Sequence, residues 1–123
     1  MFLRFTTWDV HEISRQPRGI FQSAYDLADA PEVPEWYRDA LRSDLGWFEE
    51  HLPIPPRRRF ADGLGISWFR SEAQPSIARL WSIIAIVREQ GIAVRQIRSP
   101  HPGRVLYSDS LQIVAVPWRD SSR

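Results

Sequence analysis

The run LQIVAV, residues 111–116, constrains the fold more than any other stretch of this chain because it is apolar on both faces. In an extended strand, Leu111, Ile113 and Ala115 point to one side, while Val114 and Val116 point to the other. A strand with two apolar faces is typical of the interior of a covered sheet. We therefore expect 111–116 to be a central strand with both sides covered.

The remaining apolar patterns predict further strands and helices around this strand. Strands are expected at 2–8, 64–69, 92–97 and 104–108, and helices at 20–29, 34–52 and 73–90. The order is β-α-α-β-α-β-β-β, which indicates an α+β fold with one mixed, mainly antiparallel sheet and about three helices packed on it. If strands 64–69 and 92–97 are parallel, their helical crossover should be right-handed.

The third predicted helix has an unusual pattern. Its main apolar stripe leaves Ile83 and Ile86 on other sides of the helix, so the helix should be covered on more than one side, by its own fold or by a partner. The spacing of SEAQ, 71–74, predicts Ser71 as the N-terminal cap, with Gln74 three residues later. Gly91 predicts the C-terminal end.

The composition bounds the class of protein. With 123 residues, 43% of them apolar, we expect one globular domain over 1–123. Within it, 60–118 should form a strand-helix-strand-hairpin core, 53–63 a connector rich in proline and arginine, and 119–123 a short tail. We expect no signal peptide and no membrane contact, because the longest apolar run falls far short of the ~20 residues that span a bilayer.

The charge pattern gives little evidence for a nucleic-acid partner by itself. The net charge is only +1, and all 16 basic residues are arginine. The absence of lysine and asparagine, whose codons are AT-rich, indicates a GC-rich genome. The absence of cysteine excludes disulfides and thiolate zinc sites, and it is compatible with a cytoplasmic location.

An arginine cluster forms the first candidate site. Arg57, Arg58 and Arg59 follow a proline-rich break, and Arg70 lies close by in the sequence. These arginines could bind phosphates of a nucleic acid or an acidic protein partner, or they could form a solvated loop. The nearby stretch DGLG is not a phosphate loop, because its glycines precede a strand instead of a helix.

A second candidate site is the stretch WDVHE, 8–12, which brings Asp9, His11 and Glu12 together. In a strand, Asp9 and His11 share a face and could act as an acid/base pair. A transition-metal site needs three or four protein ligands, and sequence alone does not bring His51 or His101 to this place. We expect no metal and no cofactor, and solvation at the strand end is the simpler interpretation.

The aromatic residues indicate a third candidate surface. Trp8 and Trp118 lie at the ends of predicted elements, and exposed tryptophan is common at interface hot spots. Together with Ile83 and Ile86 they predict a protein partner or a homodimer. The alternative is that large aromatic residues simply fill the core of a small domain.

The stretch GISWFR…IARLW…AIVREQGIAVRQIRSPHPGRVLYSDSLQIVAVPW, within 65–118, resembles a group of small uncharacterised bacterial proteins. Their pattern pairs a Gly-Ile-x-Trp-Phe strand with a helix, a Gly-Ile-x-Val strand and a closing Pro-Gly hairpin. RGIFQSAYDLAD, 18–29, and WFEEHLPIP, 47–55, are similar to their N-terminal part. The resemblance implies a bacterial single domain and transfers no catalytic residue.

Three functional hypotheses follow from these features. The first is a cytoplasmic interaction protein, such as an immunity or antitoxin-like protein or an accessory subunit, with an apolar-aromatic and arginine surface. The second is a nucleic-acid-binding module that uses the arginines of 57–59 and Arg70. The third is a small enzyme centred on Asp9, His11 and Glu12, although the sequence leans away from an enzyme because it contains no nucleophile motif.

Overall fold

The computed structural model of the chain describes residues 1–7, 18–53 and 65–118. The predicted α+β class and element order are confirmed, with one short strand added after the first. No helix in these three ranges is both long and apolar enough to cross a membrane. In chain order the elements are β1 (Phe2–Thr7), β2 (Arg18–Gly19), α1 (Ile20–Ala28), α2 (Glu35–His51), β3 (Ile66–Arg70), α3 (Gln74–Glu89), β4 (Val94–Ser99), β5 (Arg104–Ser108) and β6 (Gln112–Val116).

The strands form one sheet in the spatial order β4-β1-β3-β6-β5, and all its described pairings are antiparallel. β4 pairs with β1 along its whole length, from Phe2 to Thr7. The other side of β1 is shared, with β3 opposite Phe2 and Leu3 and with β2 opposite Thr6 and Thr7. Since β3 and β4 are both antiparallel to β1, they run parallel to each other with β1 between them.

The three helices cover one face of the sheet and form the main core with it. Leu3 and Phe5 of β1 and Phe69 of β3 point into this core. Burial of each large aliphatic side chain contributes roughly 1.5–3 kcal/mol. The large aliphatic side chains that are completely buried in the helices of this layer are Leu41, Leu80, Ile83, Ile84 and Val87.

The structure corrects the prediction that Ile83 and Ile86 form a partner interface. Ile83 is fully buried and Ile86 is only 9% exposed, and both belong to the main core. The reason is that α3 contacts α1, α2 and β4, so the protein's own fold covers the helix on several sides. Residues outside the main stripe of α3 are therefore buried without any partner.

The start of α3 also differs from the prediction, although Gly91 does end the helix as expected. The N-terminal cap is Ala73, and Ser71 lies in the preceding turn. Proline has no N–H, and within a helix its ring clashes with the carbonyl group four residues earlier. A cap at Ser71 would have placed Pro75 in that unfavourable position, whereas the later start places Pro75 in the first turn. Gly91 follows the helix with φ of 83°, a conformation that favours glycine.

A short connection between the two edge strands forces the sheet to curl. β4 ends at Ser99, opposite Phe2, whereas β5 begins at Arg104, opposite Val116 at the other end of the neighbouring strands. On a flat sheet the distance from Ser99 to Arg104 would be about 25 Å, because the two residues are separated by four strand spacings across the sheet and by about five residues along the strands. The chain from 99 to 104 reaches at most about 18 Å. The sheet must therefore curl towards the face that the helices leave open, which we call the open face.

Candidate functional site

The open face carries a second, smaller apolar cluster. Trp68 of β3 and Ile113 and Ala115 of β6 are buried there, and Phe2, Ile66 and Ile97 pack against them. Strand alternation explains the division, because Phe69 and Val114 point to the helices while their sequence neighbours point away. The central position and two buried faces predicted for the last strand are thus confirmed.

A groove of about 370 Å³ lies on this open face. Its floor is formed by Arg4 of β1, Trp68 of β3 and Ile97 of β4. Residues 99–103, which we call the crossing loop, form one wall through His101 and Pro102, and Pro117 contributes at the end of β6. A concave site with apolar walls and few polar groups is the common form of a ligand site.

The crossing loop is held against the sheet at several points. The Trp118 indole N–H donates to the carbonyl oxygen of His101 at 3.2 Å, and the His101 N–H donates to the Ser99 hydroxyl at 3.2 Å. Gly103 has φ of 153°, and a Cβ atom at this position would lie 2.0 Å from the carbonyl oxygen of Val116. Only glycine allows this approach, so Gly103 sets the position of the loop over the groove.

Arg4 brings a partly buried positive charge into this groove. Its guanidinium is partly buried, and this desolvation lowers the pKa of Arg4 from its ordinary value. The side chain makes no hydrogen bond or ion pair within the described parts of the chain. Arginine keeps its charge at neutral pH, so Arg4 is a cation without a counter-ion among the described residues, and it lines the groove together with Trp68.

Arg4 also lines a second cavity of about 270 Å³ between β1 and β3, which we call the fork. It lies between Leu3 and Thr6 of β1, where the pairing with β3 has ended and the pairing with β2 has not yet begun. The groove and the fork share Arg4 and Ile66. The site therefore consists of two adjoining cavities with one cationic residue in common.

Arg70, predicted as an anion or nucleic-acid contact, has a structural role instead. Its Nε donates to the carbonyl oxygen of Asp109 at 2.8 Å, and its Nη2 donates to the Ser108 hydroxyl at 2.6 Å. The guanidinium also lies over the Phe2 ring, 5.4 Å from its centroid. These contacts fasten the turn between β5 and β6 to the sheet, and the donors used there are not available to a phosphate.

Several predicted site residues lie outside the described residues. They are Trp8, Asp9, His11, Glu12, Arg57, Arg58 and Arg59. The acid/base group at 9–12 and the arginine loop at 57–59 therefore stay predictions. Of the residues predicted to contact a partner, Trp118 is the one that the structure places on the surface, with 49% of it exposed.

The described histidines do not form a metal centre. Within residues 1–7, 18–53 and 65–118, no three histidine, aspartate or glutamate residues are grouped closely enough to hold a metal ion. His51 stacks on the Trp47 ring, with 4.4 Å between the ring centroids, and its Nδ1 lies 2.8 Å from the Trp47 carbonyl oxygen. His101 is in the wall of the groove, where it is exposed.

Sequence reasoning missed the two residues that form the floor of the groove at β1 and β3. Strand alternation puts Arg4 on the face opposite Leu3 and Phe5, and a charged residue inside a short strand of aromatic, aliphatic and β-branched residues was the available signal. A charge at the centre of a sheet is costly unless it has a partner or a ligand. Trp68 is only 7% exposed, and it belongs to the smaller cluster under the groove and not to the main core.

Comparison with protein-family models, with curated proteins and with solved structures finds no match to this chain. The resemblance to small bacterial proteins therefore stays a prediction, and the function has to be argued from the geometry of the open face.

Proposed function

We propose that this protein is a small protein-interaction domain that binds a segment of another protein in the groove on its open face. The proposal rests on the position of Trp118. This side chain is half exposed at the rim of the groove and is hydrogen-bonded to the crossing loop. Tryptophan and arginine are the residues most enriched among interface hot spots. Trp118 at the rim and Arg4 on the floor of the groove match a partner segment that has apolar side chains and at least one carboxylate.

The surroundings of Trp118 support a surface larger than the groove itself. Val105 of β5 lies opposite Ala115 on the same face and is 49% exposed. A cluster of exposed apolar side chains beside a groove is typical of a surface that binds another protein.

The stiffness of the crossing loop favours binding. Two prolines, Pro100 and Pro102, and the close contact of Gly103 with Val116 hold the loop before any partner arrives. A preformed surface loses less conformational entropy on association than a flexible one. The groove can therefore accept a partner segment without a large rearrangement of this protein.

The biological setting that we propose is a bacterial cytoplasm, with the protein acting as an immunity or antitoxin-like protein or as an accessory subunit. The arginine-only basic composition and the absence of cysteine support this setting. A second copy of the chain is the other partner that this surface would suit.

The experiment is a selection of random 12-residue peptides displayed on phage against the purified protein. We expect the selected peptides to combine Asp or Glu with aromatic or branched apolar residues. We expect Trp118→Ala to weaken their binding at least ten-fold, as for a hot-spot residue. Trp36→Ala is the matched control, because Trp36 is 65% exposed but lies on α2, in the helical layer.

Peptides that bind both variants as they bind the wild type would contradict the proposal, and so would a loss confined to Trp36→Ala. Sedimentation of the unliganded protein tests for a second copy on the same surface. A dimer that dissociates in Trp118→Ala alone would identify that copy as the partner.

A further inference from the structure

The fork has a structural cause in the pairing of β1. This strand pairs with β3 only as far as Leu3 and with β2 only from Thr6, so Arg4 and Phe5 have no described neighbour on that side. The gap opens into a cavity of about 270 Å³ that reaches the main core. At about 30 Å³ for each water-sized group, it has room for roughly nine non-hydrogen atoms.

The described lining of the fork is mainly apolar. Three aromatic rings, those of Phe5, Phe21 and Phe69, line it together with Ile20 and Ile66. Among the described residues that line it, Arg4 is the only charged one. A cation in apolar surroundings attracts an anion more strongly than it does in water, because the local dielectric constant is low.

Gly19, on the rim of the fork, indicates that the cavity is kept open. Its backbone has φ of −69° and ψ of 152°, which any residue adopts, so conformation does not require glycine there. A Cβ atom at this position would meet nothing within 4 Å, so packing does not require glycine either. The missing side chain leaves space at the rim of the fork, and a larger residue would occupy it.

We infer that the fork is a binding site for a small apolar monocarboxylate, with the carboxylate on Arg4 and the ring or hydrocarbon chain among the three phenylalanines. Guanidinium and carboxylate match in shape and charge, and they form strong paired hydrogen bonds. The cavity volume suits a ligand of about the size of benzoate or hexanoate. This site goes beyond the proposed interaction function, since its ligand is a small molecule within the sheet and not a partner segment on the groove.

The test is calorimetric titration of the protein with benzoate and hexanoate, and with benzamide and hexanamide as neutral analogues of the same shape. We expect each acid to bind at least ten-fold more tightly than its amide. Arg4→Met should remove the preference for the acid. Gly19→Leu should abolish binding of acids and amides alike, because the new side chain fills the fork.

Gly46→Leu is the matched control for the glycine substitution, because a Cβ at Gly46 also meets nothing within 4 Å and Gly46 lies on α2 away from the fork. If Arg4→Met does not fold, Arg4→Gln replaces it, and Gly19→Leu tests the site in either case. Equal affinity for acids and amides, binding that survives Gly19→Leu, or no binding of the wild type at 10 mM ligand would overturn the inference. Trp118→Ala should bind the acids like the wild type, so this result is independent of the peptide experiment.

Discussion

Asp109 organises the turn between β5 and β6, and it does so through its carboxylate. The Oδ1 atom accepts hydrogen bonds from the backbone N–H groups of Leu111 and Gln112, at 2.8 and 2.9 Å. The Oδ2 atom accepts two more, from the Tyr107 hydroxyl at 2.8 Å and from the Gln112 side-chain amide at 3.3 Å. Desolvation by itself raises the pKa of Asp109, but these hydrogen bonds to the charged form outweigh it and lower the pKa below the ordinary value.

This turn predicts a specific pH dependence of stability. A folded-state pKa below the unfolded value contributes stability that is complete above the unfolded pKa and is lost as the pH falls through the folded pKa. The unfolded value is about 4. We therefore expect the wild type to exceed Asp109→Asn in free energy of unfolding at pH 7, and the difference to narrow below pH ~4, as measured by urea unfolding from pH 7 to pH 2.

A difference between the two proteins that stays constant or grows below that pH would contradict the role assigned to the carboxylate. Aspartate is a common turn residue, so the sequence is compatible with a turn at Asp109. The sequence does not indicate that this carboxylate accepts four hydrogen bonds, because those contacts depend on the register of β5 and β6.

Gly103 gives the second prediction at this scale. We expect Gly103→Ala to lower the free energy of unfolding by at least about 2 kcal/mol, because the added Cβ would collide with the Val116 carbonyl group in a strained backbone conformation. The measurement is urea unfolding at neutral pH. Gly46→Ala is the control, and it should stabilise the protein by about 0.5–1 kcal/mol, since a helical glycine in open space gains from the exchange.

At the scale of elements, α3 shows how far the sequence pattern extends. The pattern predicted the helix, its approximate bounds and its coverage on several sides. It left open whether the protein's own fold or a partner covers these sides, because the spacing of apolar residues shows which faces of a helix are apolar but not what packs against them. The cap at Ser71 was wrong because the spacing of SEAQ was given more weight than Pro75, whose ring excludes the earlier start.

The α2–α3 contact contains a feature that the sequence concealed. Asp44 is 5% exposed, yet it lies among charged and polar residues in the sequence. Its carboxylate accepts hydrogen bonds from Arg79 at 3.1 Å and from Ser82 at 2.6 Å. Both partners come from α3, 35 and 38 residues further along, so only the packing of the two helices shows why this carboxylate is buried.

The burial of Ile83 leads to a prediction about α3. We expect Ile83→Ala to lower the free energy of unfolding of the monomer by about 2–5 kcal/mol, because it leaves a cavity in the main core. The measurement is chemical unfolding at several protein concentrations. Loss of less than about 0.5 kcal/mol, the usual effect of a surface substitution, would restore Ile83 as a candidate for the partner surface.

At the scale of the whole molecule, the groove results from the order of the strands. The strands and the closing hairpin of β5 and β6 were predicted from local patterns, but the other strand neighbours were not, because those pairings join residues far apart in the sequence. Only the positions of β4 and β5 on opposite edges show that residues 99–103 must cross the open face. In the sequence, residues 99–103 are a stretch rich in proline and other turn residues, and the fold makes this stretch a wall of the groove.

The most direct test of this account is hydrogen exchange of the protein with and without a peptide selected on it. We predict that the peptide slows exchange at the backbone amides of His101, Gly103 and Arg104, and leaves α2 unchanged, since the peptide should lie against the crossing loop on the open face. Slower exchange in α2 near Trp36, with no change in the crossing loop, would contradict the central claim that the open face is the binding surface.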